Sequence, residues 1–287
     1  MIRELILFTL AALVLVTAVL LLVGAWRWRR ATTGLLARLE ASRTAPAAAR
    51  FHATELAGLP APVQRWLGAV LVDGQPLVTA ATFEHTGTFN LGEGREKWRP
   101  FTSRQRVVTQ RPGFLWDARI RIVPGLSVRV HDAYVAGEGV LHASMFGLIS
   151  VANLSGSGDI AHGELMRYVA EAAWYPTALL PSQGVQWTAV DDDSALATLV
   201  DGTYSLTMLF RFGAGGLLTS IRAEARGRSV GDATVPTPWE CRFADHEMHD
   251  GMRVPMTGEV FWILPEGSQP YYRGRITKLA YEFARPA

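Results

Sequence analysis

The apolar pattern changes period along the chain, and each change marks a different kind of element. Residues 5–25 carry no charge, are apolar on every helical face, and contain only two hydroxyls, Thr9 and Thr17, which can bond back to the helix backbone. At about 1.5 Å per residue this stretch reaches about 30 Å, the thickness of a bilayer's hydrocarbon core, and so predicts a membrane-spanning helix. Helical character continues over residues 31–43, with Leu35, Leu36 and Leu39 on one stripe, and residues 44–50 read as a linker. A short helix follows over residues 62–71, where Val63, Trp66, Leu67, Val70 and Leu71 recur at helical spacing and Pro62 suits the first turn.

From Leu77 onward the period becomes two. Thr82, Glu84, Thr86 and Thr88 alternate with Phe83, His85, Gly87 and Phe89, and Trp116, Ala118, Ile120 and Ile122 alternate with Asp117, Arg119 and Arg121. Further strand-like runs cover residues 126–135, 140–149, 185–190, 195–200, 204–212, 217–228, 239–248, 254–264 and 273–283, many of them divided by glycine-bearing turns. One segment breaks this meander: residues 163–173 place Leu165, Met166, Val169, Ala172 and Ala173 on one side and Glu164, Arg167 and Glu171 on another, with Asp159 as a cap. A wide single sheet must curl or be covered. The expected fold is therefore mainly β (α+β): an N-terminal transmembrane helix, then a curved antiparallel sheet, a half-barrel of about ten strands, wrapped around one inserted helix. The expected organisation is an anchor over residues 1–30, a helical linker with a short helix over 31–75, and a β-rich domain over 76–287.

Composition narrows the function classes. Of 287 residues 49% are hydrophobic and 19% charged, with one cysteine, which excludes a disordered chain and a disulfide scaffold. The first 50 residues hold 7 basic and 2 acidic side chains, leaving 21 basic and 24 acidic for the remainder. Basicity thus sits beside the apolar span, where each Lys or Arg gains about 1 kcal/mol near anionic lipid. The slightly acidic domain carries no electrostatic footprint for nucleic acid. The apolar stretch exceeds a signal sequence's usual core and is followed at once by Arg27, Arg29 and Arg30, so retention as an anchor is expected. Trp26 and Trp28 suit the membrane interface. With only Arg3 on the other flank, the positive-inside rule places the large domain in the cytoplasm, the periplasmic or extracellular face being the alternative.

Most candidate chemistry dissolves on inspection. The histidines of Asp245-His246-Glu247-Met248-His249-Asp250 are three apart on a strand pattern, hence on opposite faces, and not four apart on a helix as a zinc protease needs. Asp191-Asp192-Asp193 lacks the spacing of a calcium loop, residues 213–216 open no helix and lack a lysine, and Cys241 has no evident activating partner. Neither a metal nor a cofactor is implied. What remains is Glu164, Arg167 and Glu171 at i, i+3 and i+7, where the arginine can reach both carboxylates, and a surplus of aromatics including Trp98, Trp116, Trp174, Trp187, Trp239, Trp262, Tyr271 and Tyr272.

Two segments carry a family likeness: Gly163-Glu164-Leu165-Met166-Arg167-Tyr168-Val169-Ala170-Glu171 running into Trp174-Tyr175-Pro176-Thr177-Ala178-Leu179-Leu180-Pro181, and Trp262-Ile263-Leu264-Pro265-Glu266-Gly267 running into Pro270-Tyr271-Tyr272-Arg273-Gly274. They resemble the hallmarks of an uncharacterised bacterial family of unknown function with a hydrophobic N-terminus. The architecture also resembles the half-barrel of lipoprotein carriers, whose apolar cavity receives acyl chains; a membrane anchor departs from that pattern and suits a receptor, acceptor or local lipid handler.

These readings converge on a single-pass membrane protein binding a membrane lipid or other apolar small molecule. Glu164, Arg167 and Glu171 are the polar candidates, Trp174, Trp262 and Tyr271 the entrance, and Arg167 or Arg273 the partner of an anionic head group. The alternatives are an enzyme on a lipid-like substrate, with Glu171 or His246 as acid or base, and an interaction domain for an envelope protein partner without a ligand.

Overall fold

A computed structural model of the chain describes residues 1–92, 95–231 and 233–285. Among them are three α-helices, α1 (Ile2–Ala41), α2 (Ala61–Val70) and α3 (Asp159–Glu171). Thirteen strands follow the predicted alternation: β1 (Val78–Asn90), β2 (Trp98–Val108), β3 (Gly113–Val123), β4 (Leu126–Val135), β5 (Glu138–Met145), β6 (Ile149–Gly156), β7 (Gln186–Asp191), β8 (Ser194–Asp201), β9 (Tyr204–Phe212), β10 (Leu218–Val230), β11 (Ala233–His249), β12 (Met252–Leu264) and β13 (Gly267–Phe283). They form one antiparallel sheet in the order β6-β5-β4-β3-β2-β1-β13-β12-β11-β10-β9-β8-β7. Two meanders are thus joined by the pairing of β1 with β13, and α3 is inserted where the first ends and the second begins.

Against about ten expected strands, eleven strand-like runs are marked by the alternation, and β2 and β6 are the two strands it leaves out. Inward positions of β2 include Ser103 and Gln105, which blur its apolar alternation, and β6 is an edge strand exposed along most of its length. The helix around residues 163–173 starts earlier than its pattern suggests, at Asp159, capped by Gly158 with φ 82° and without a side-chain bond from Asp159.

Because every strand is antiparallel, the turns fall at two ends. At the tip end lie the turns at residues 124–125, 146–148 and 265–266; at the base end lie those at 109–112, 136–137 and 250–251. The concave face carries the main core. Phe83, Phe114, Trp116, Tyr134, Trp239 and Cys241 point inward against Leu165, Val169, Trp174 and Tyr175 of α3 and the 3-10 turns that follow it. Tyr175 donates from its hydroxyl to the Tyr168 carbonyl at 2.8 Å, fixing the exit from α3.

The convex face is covered by α1, which runs unbroken from Ile2 to Ala41. Leu35, Leu36 and Leu39 pack on Ala80, Val108, Leu115, Ala133 and Val135, forming a second, smaller core. Covering both faces explains why Val107-Val108 and Phe114-Leu115-Trp116 are apolar without alternation. Trp28 is buried here and does not stay free for an interface: it stacks on His131 at 3.8 Å and donates from Nε1 to Asp117 at 3.0 Å, whereas Trp26 is exposed. Gly24 meets the β5–β6 turn so closely that a Cβ would lie 2.0 Å from the Phe146 carbonyl oxygen. The helix therefore docks from base (Leu39 against Gly113) to tip (Gly24 against Gly147), and its exposed apolar first half projects beyond the tip end.

Candidate functional site

Where α3 crosses the concave face it leaves the tip half of the half-barrel unfilled. The result is a cavity of about 390 Å³. Its floor is Arg167, Ala170, Glu171 and Trp174; its walls include Ile120, Val130, Leu141, Ala143, Val260 and Tyr272, with the exposed Leu91 and Val151 at the tip-end rim. Strand parity produces this lining, since inward positions alternate along β3 (Trp116, Ala118, Ile120, Ile122) and β4 (Val128, Val130, Asp132). In β13 a bulge leaves Tyr271 between Pro270 and Tyr272 out of register with β12, so both tyrosines line the cavity. Gly274 faces the Tyr272 ring; a Cβ there would come within 2.2 Å of the phenolic oxygen, so only glycine lets that ring lie flat on the sheet.

The floor holds a buried ionic network. Arg167 donates to Glu171 (Nε, 2.8 Å), to Asp132 and to Gln105 (Nη2, 3.3 Å), and its guanidinium lies 4.9 Å from the centres of both Phe114 and Trp116. Gln105 in turn donates to Glu171. Burial works against the Arg167 charge, yet Glu171, Asp132 and Glu164 together raise its pKa well above the ordinary value. Arg167 thus stays charged and saturated by anions. Glu164 turns away from Arg167 and accepts from Arg226 of β10 at 3.4 Å, while Arg226 stacks 4.5 Å over Trp239. Burial, reinforced by Asp132, raises the Glu164 carboxyl well above the usual carboxylate range. The raised Glu164 carboxyl shares a side-chain hydrogen bond with Asp132, while beside the floor the Trp116 and Trp174 indole N–H groups are buried without a hydrogen-bond partner among the described residues. Such orphans cost about 1–3 kcal/mol each and mark where polar ligand atoms or water find partners.

The seven candidate residues of the sequence distribute as follows. Arg167, Glu171, Trp174 and Tyr271 line the cavity. Glu164 lies behind the floor with Arg226, and the expectation that Arg167 holds both helix carboxylates is corrected: Arg226 from the sheet takes Glu164. Trp262 is half-buried and stacks on Tyr271 with ring centres 5.7 Å apart, one layer behind the cavity wall. Arg273 points to the convex face, where it pairs with Glu259 at 2.9 Å and covers Trp98 at 4.4 Å. Sequence reasoning misses Gln105, Asp132 and Arg226. Of the two acid–base candidates, Glu171 is tied to Arg167 and Gln105, and His246 does not line the cavity. Burial pushes the Cys241 thiol up, away from the reactive thiolate.

Among the described residues no group of three or more His, Cys, Asp or Glu side chains is placed to hold a metal. No curated protein matches the chain. Among solved structures, a LolA superfamily protein from Nitrosomonas europaea aligns with a TM-score of 0.37 and 10% identity over 73% of this chain and 87% of that one. A beta-barrel-like protein of a domain of unknown function (DUF1849) from Brucella abortus aligns with a TM-score of 0.14 and 13% identity over 74% and 99%. Residues 57–281, which hold α2, α3, the whole sheet but the end of β13, and every cavity residue named above, match one family along their full length: the chain belongs to the family of unknown function DUF6920.

Proposed function

We propose that the protein is a membrane-anchored lipid handler whose half-barrel takes an acyl chain, or a similarly slim apolar ligand, directly from the bilayer that α1 crosses. The observation that carries this reading is positional: the cavity rim lies at the tip end, the same end from which the exposed apolar half of α1 projects. A span over residues 5–25 leaves the hydrocarbon where Gly24 touches the β5–β6 turn, so the rim faces the headgroup layer. Phe146, Ile149, Val151, Leu91 and Val123 are exposed around that end, an apolar fringe that suits a bilayer boundary.

The cavity volume, about 390 Å³, is at the lower end for small-molecule sites and favours one chain over a whole phospholipid. Apolar walls supply affinity at about 25 cal/mol per Å² buried, before ordering costs. The saturated Arg167 network makes the floor a polar stop, with the partnerless indole N–H groups beside it available to a carbonyl or carboxylate. Arg27, Arg29 and Arg30 at the domain side of the span support a cytoplasmic domain.

The test is native mass spectrometry of the full chain, released from maltoside micelles after delipidation and incubation with a fatty acid or phospholipid. The expected result is one lipid adduct that Ala152→Trp, which projects a large ring from edge strand β6 into the cavity, abolishes while circular dichroism stays unchanged. An adduct equally strong in Ala152→Trp contradicts occupancy of the cavity. Flotation with phosphatidylcholine vesicles reports the anchor separately.

A further inference from the structure

A second concentration of charge lies on the opposite face of the same strands. Arg119 of β3 and Arg129 of β4 sit directly across from each other in the ladder, and Arg121 follows Arg119 on the same outward face. Like charges directly opposed in a sheet are destabilising. Arg29 of α1 joins them, and together with Arg119 and Arg129 it borders a groove of about 780 Å³ between the helix and the sheet. None of Arg29, Arg119, Arg121 and Arg129 has a carboxylate within ion-pair distance among the described residues.

The acidic groups of the groove are engaged elsewhere. Asp117 accepts from Trp28, and burial raises its carboxyl above the usual range; Glu84 is shared by Arg104 at 3.5 Å and Lys278 at 3.0 Å. Burial lowers the pKa of Arg129, and Arg119 and Arg29 close by add to this, outweighing the opposite pull of Asp117, which lies beyond ion-pair distance. The groove is also lined by hydroxyls, including Thr32, Thr33, Thr86 and Thr102. Arginine forks with nearby hydroxyls are the donor set of phosphate recognition.

Depth selects the source of the phosphate. Arg29 lies about 7.5 Å along α1 from Gly24, and Arg129 lies about 10 Å along β4 from the tip-end turn. If residues 5–25 span the bilayer, both fall one headgroup layer below the hydrocarbon boundary. We propose that this outward groove binds the phosphate of an anionic phospholipid in the leaflet next to the domain, a lipid site separate from the cavity. It would hold the domain rim-down on the membrane. The inference rests on the membrane reading of α1 and is independent of what fills the cavity.

The experiment uses the full chain in maltoside micelles, titrated with dioleoyl phosphatidylglycerol, dioleoyl phosphatidylcholine or inorganic phosphate, and read by native mass spectrometry and thermal unfolding. The expected result is about tenfold preference for phosphatidylglycerol over phosphatidylcholine, since both carry the phosphate but the choline cation of the second meets the repulsion of the arginines. It should collapse in Arg119→Gln/Arg129→Gln, persist in Arg253→Gln, which removes the same kind of charge at the base end, and persist in Ala152→Trp. The double variant should also unfold at a higher temperature than the wild type without lipid, because repulsion is relieved. Loss of the preference in Arg253→Gln as well, or its survival in the double variant, overturns the site. Equal protection of the wild type by inorganic phosphate and by phosphatidylglycerol assigns the groove to a free phosphate anion and overturns the headgroup assignment. Failure of the full chain to float with vesicles points instead at the anchor reading.

Discussion

The base and tip halves of the half-barrel use the same strands and end differently. At the base, α2 and the segment after α3 close the concave face: Trp66 packs against Phe210, Phe212 and Trp187, Tyr175 against Tyr168 and Phe83, and Tyr134 donates to Asp201 at 2.6 Å. At the tip no helix among the described residues covers the concave face, and the walls are left around a cavity with an ionic floor. Helix coverage, more than strand composition, thus decides where a curled sheet is core and where it is site. Apart from Asp132, which belongs to the floor, the inward residues of β3 and β4 are apolar or aromatic along both halves.

Substitutions in the two halves should separate them. The largest effects belong to the base and the floor. Trp66→Ala should cost about 3–5 kcal/mol in chemical denaturation. Arg167→Ala should cost a similar amount, about 3–5 kcal/mol, because it leaves Asp132 and Glu171 buried without their cation; an Arg167→Ala protein as stable as wild type would mean that the floor is wetter than its burial implies.

Acid should act next. Burial lowers the pKa of His85 to about 3 and of His131 to about 4, while an unfolded histidine titrates near 6.5. Both are neutral in the folded protein, the unfolded chain binds more protons below pH 6.5, and stability falls as pH drops through that value. Between about pH 6.5 and 5, before most carboxylates protonate, the melting temperature should fall, and His85→Gln should flatten the slope. An unchanged slope in that variant contradicts a neutral, buried His85.

The smallest effect is expected at the cavity wall. Val128→Ala removes a side chain that already borders open space and should cost less than about 1 kcal/mol in the delipidated protein. A loss as large as at Trp66 would show that the tip half is packed after all.

Much of the fold is legible in the amino-acid sequence alone. The apolar span, the period-two pattern and the single inserted helix follow from where side chains must point on a helix or strand. Strands β4 and β9 end at the very residues the alternation marks, Leu126–Val135 and Tyr204–Phe212. Strand β2 is hidden because Gln105, which should be apolar at an inward position, binds the Arg167 network. Asp132 leaves a readable signal, a carboxylate in the inward series Val128, Val130, Asp132, Tyr134. Arg226 leaves none, since it turns inward only because a bulge between Ala223 and Arg226 breaks the strand's parity. Helix spacing tells which residues Arg167 can reach; it does not tell that a sheet arginine takes Glu164 first. The outward turn of Arg273 depends on the bulge at Tyr271, a register event without a composition signal.

Whether a bilayer chain enters the tip half is the question on which lipid handling by this protein turns. The full chain would be reconstituted in vesicles containing a phospholipid with a diazirine at the end of one acyl chain, irradiated, digested and mapped. Cross-links to cavity residues such as Trp116, Ala143 and Val260, lost in Ala152→Trp, are the predicted result; cross-links confined to residues 5–25 would contradict it.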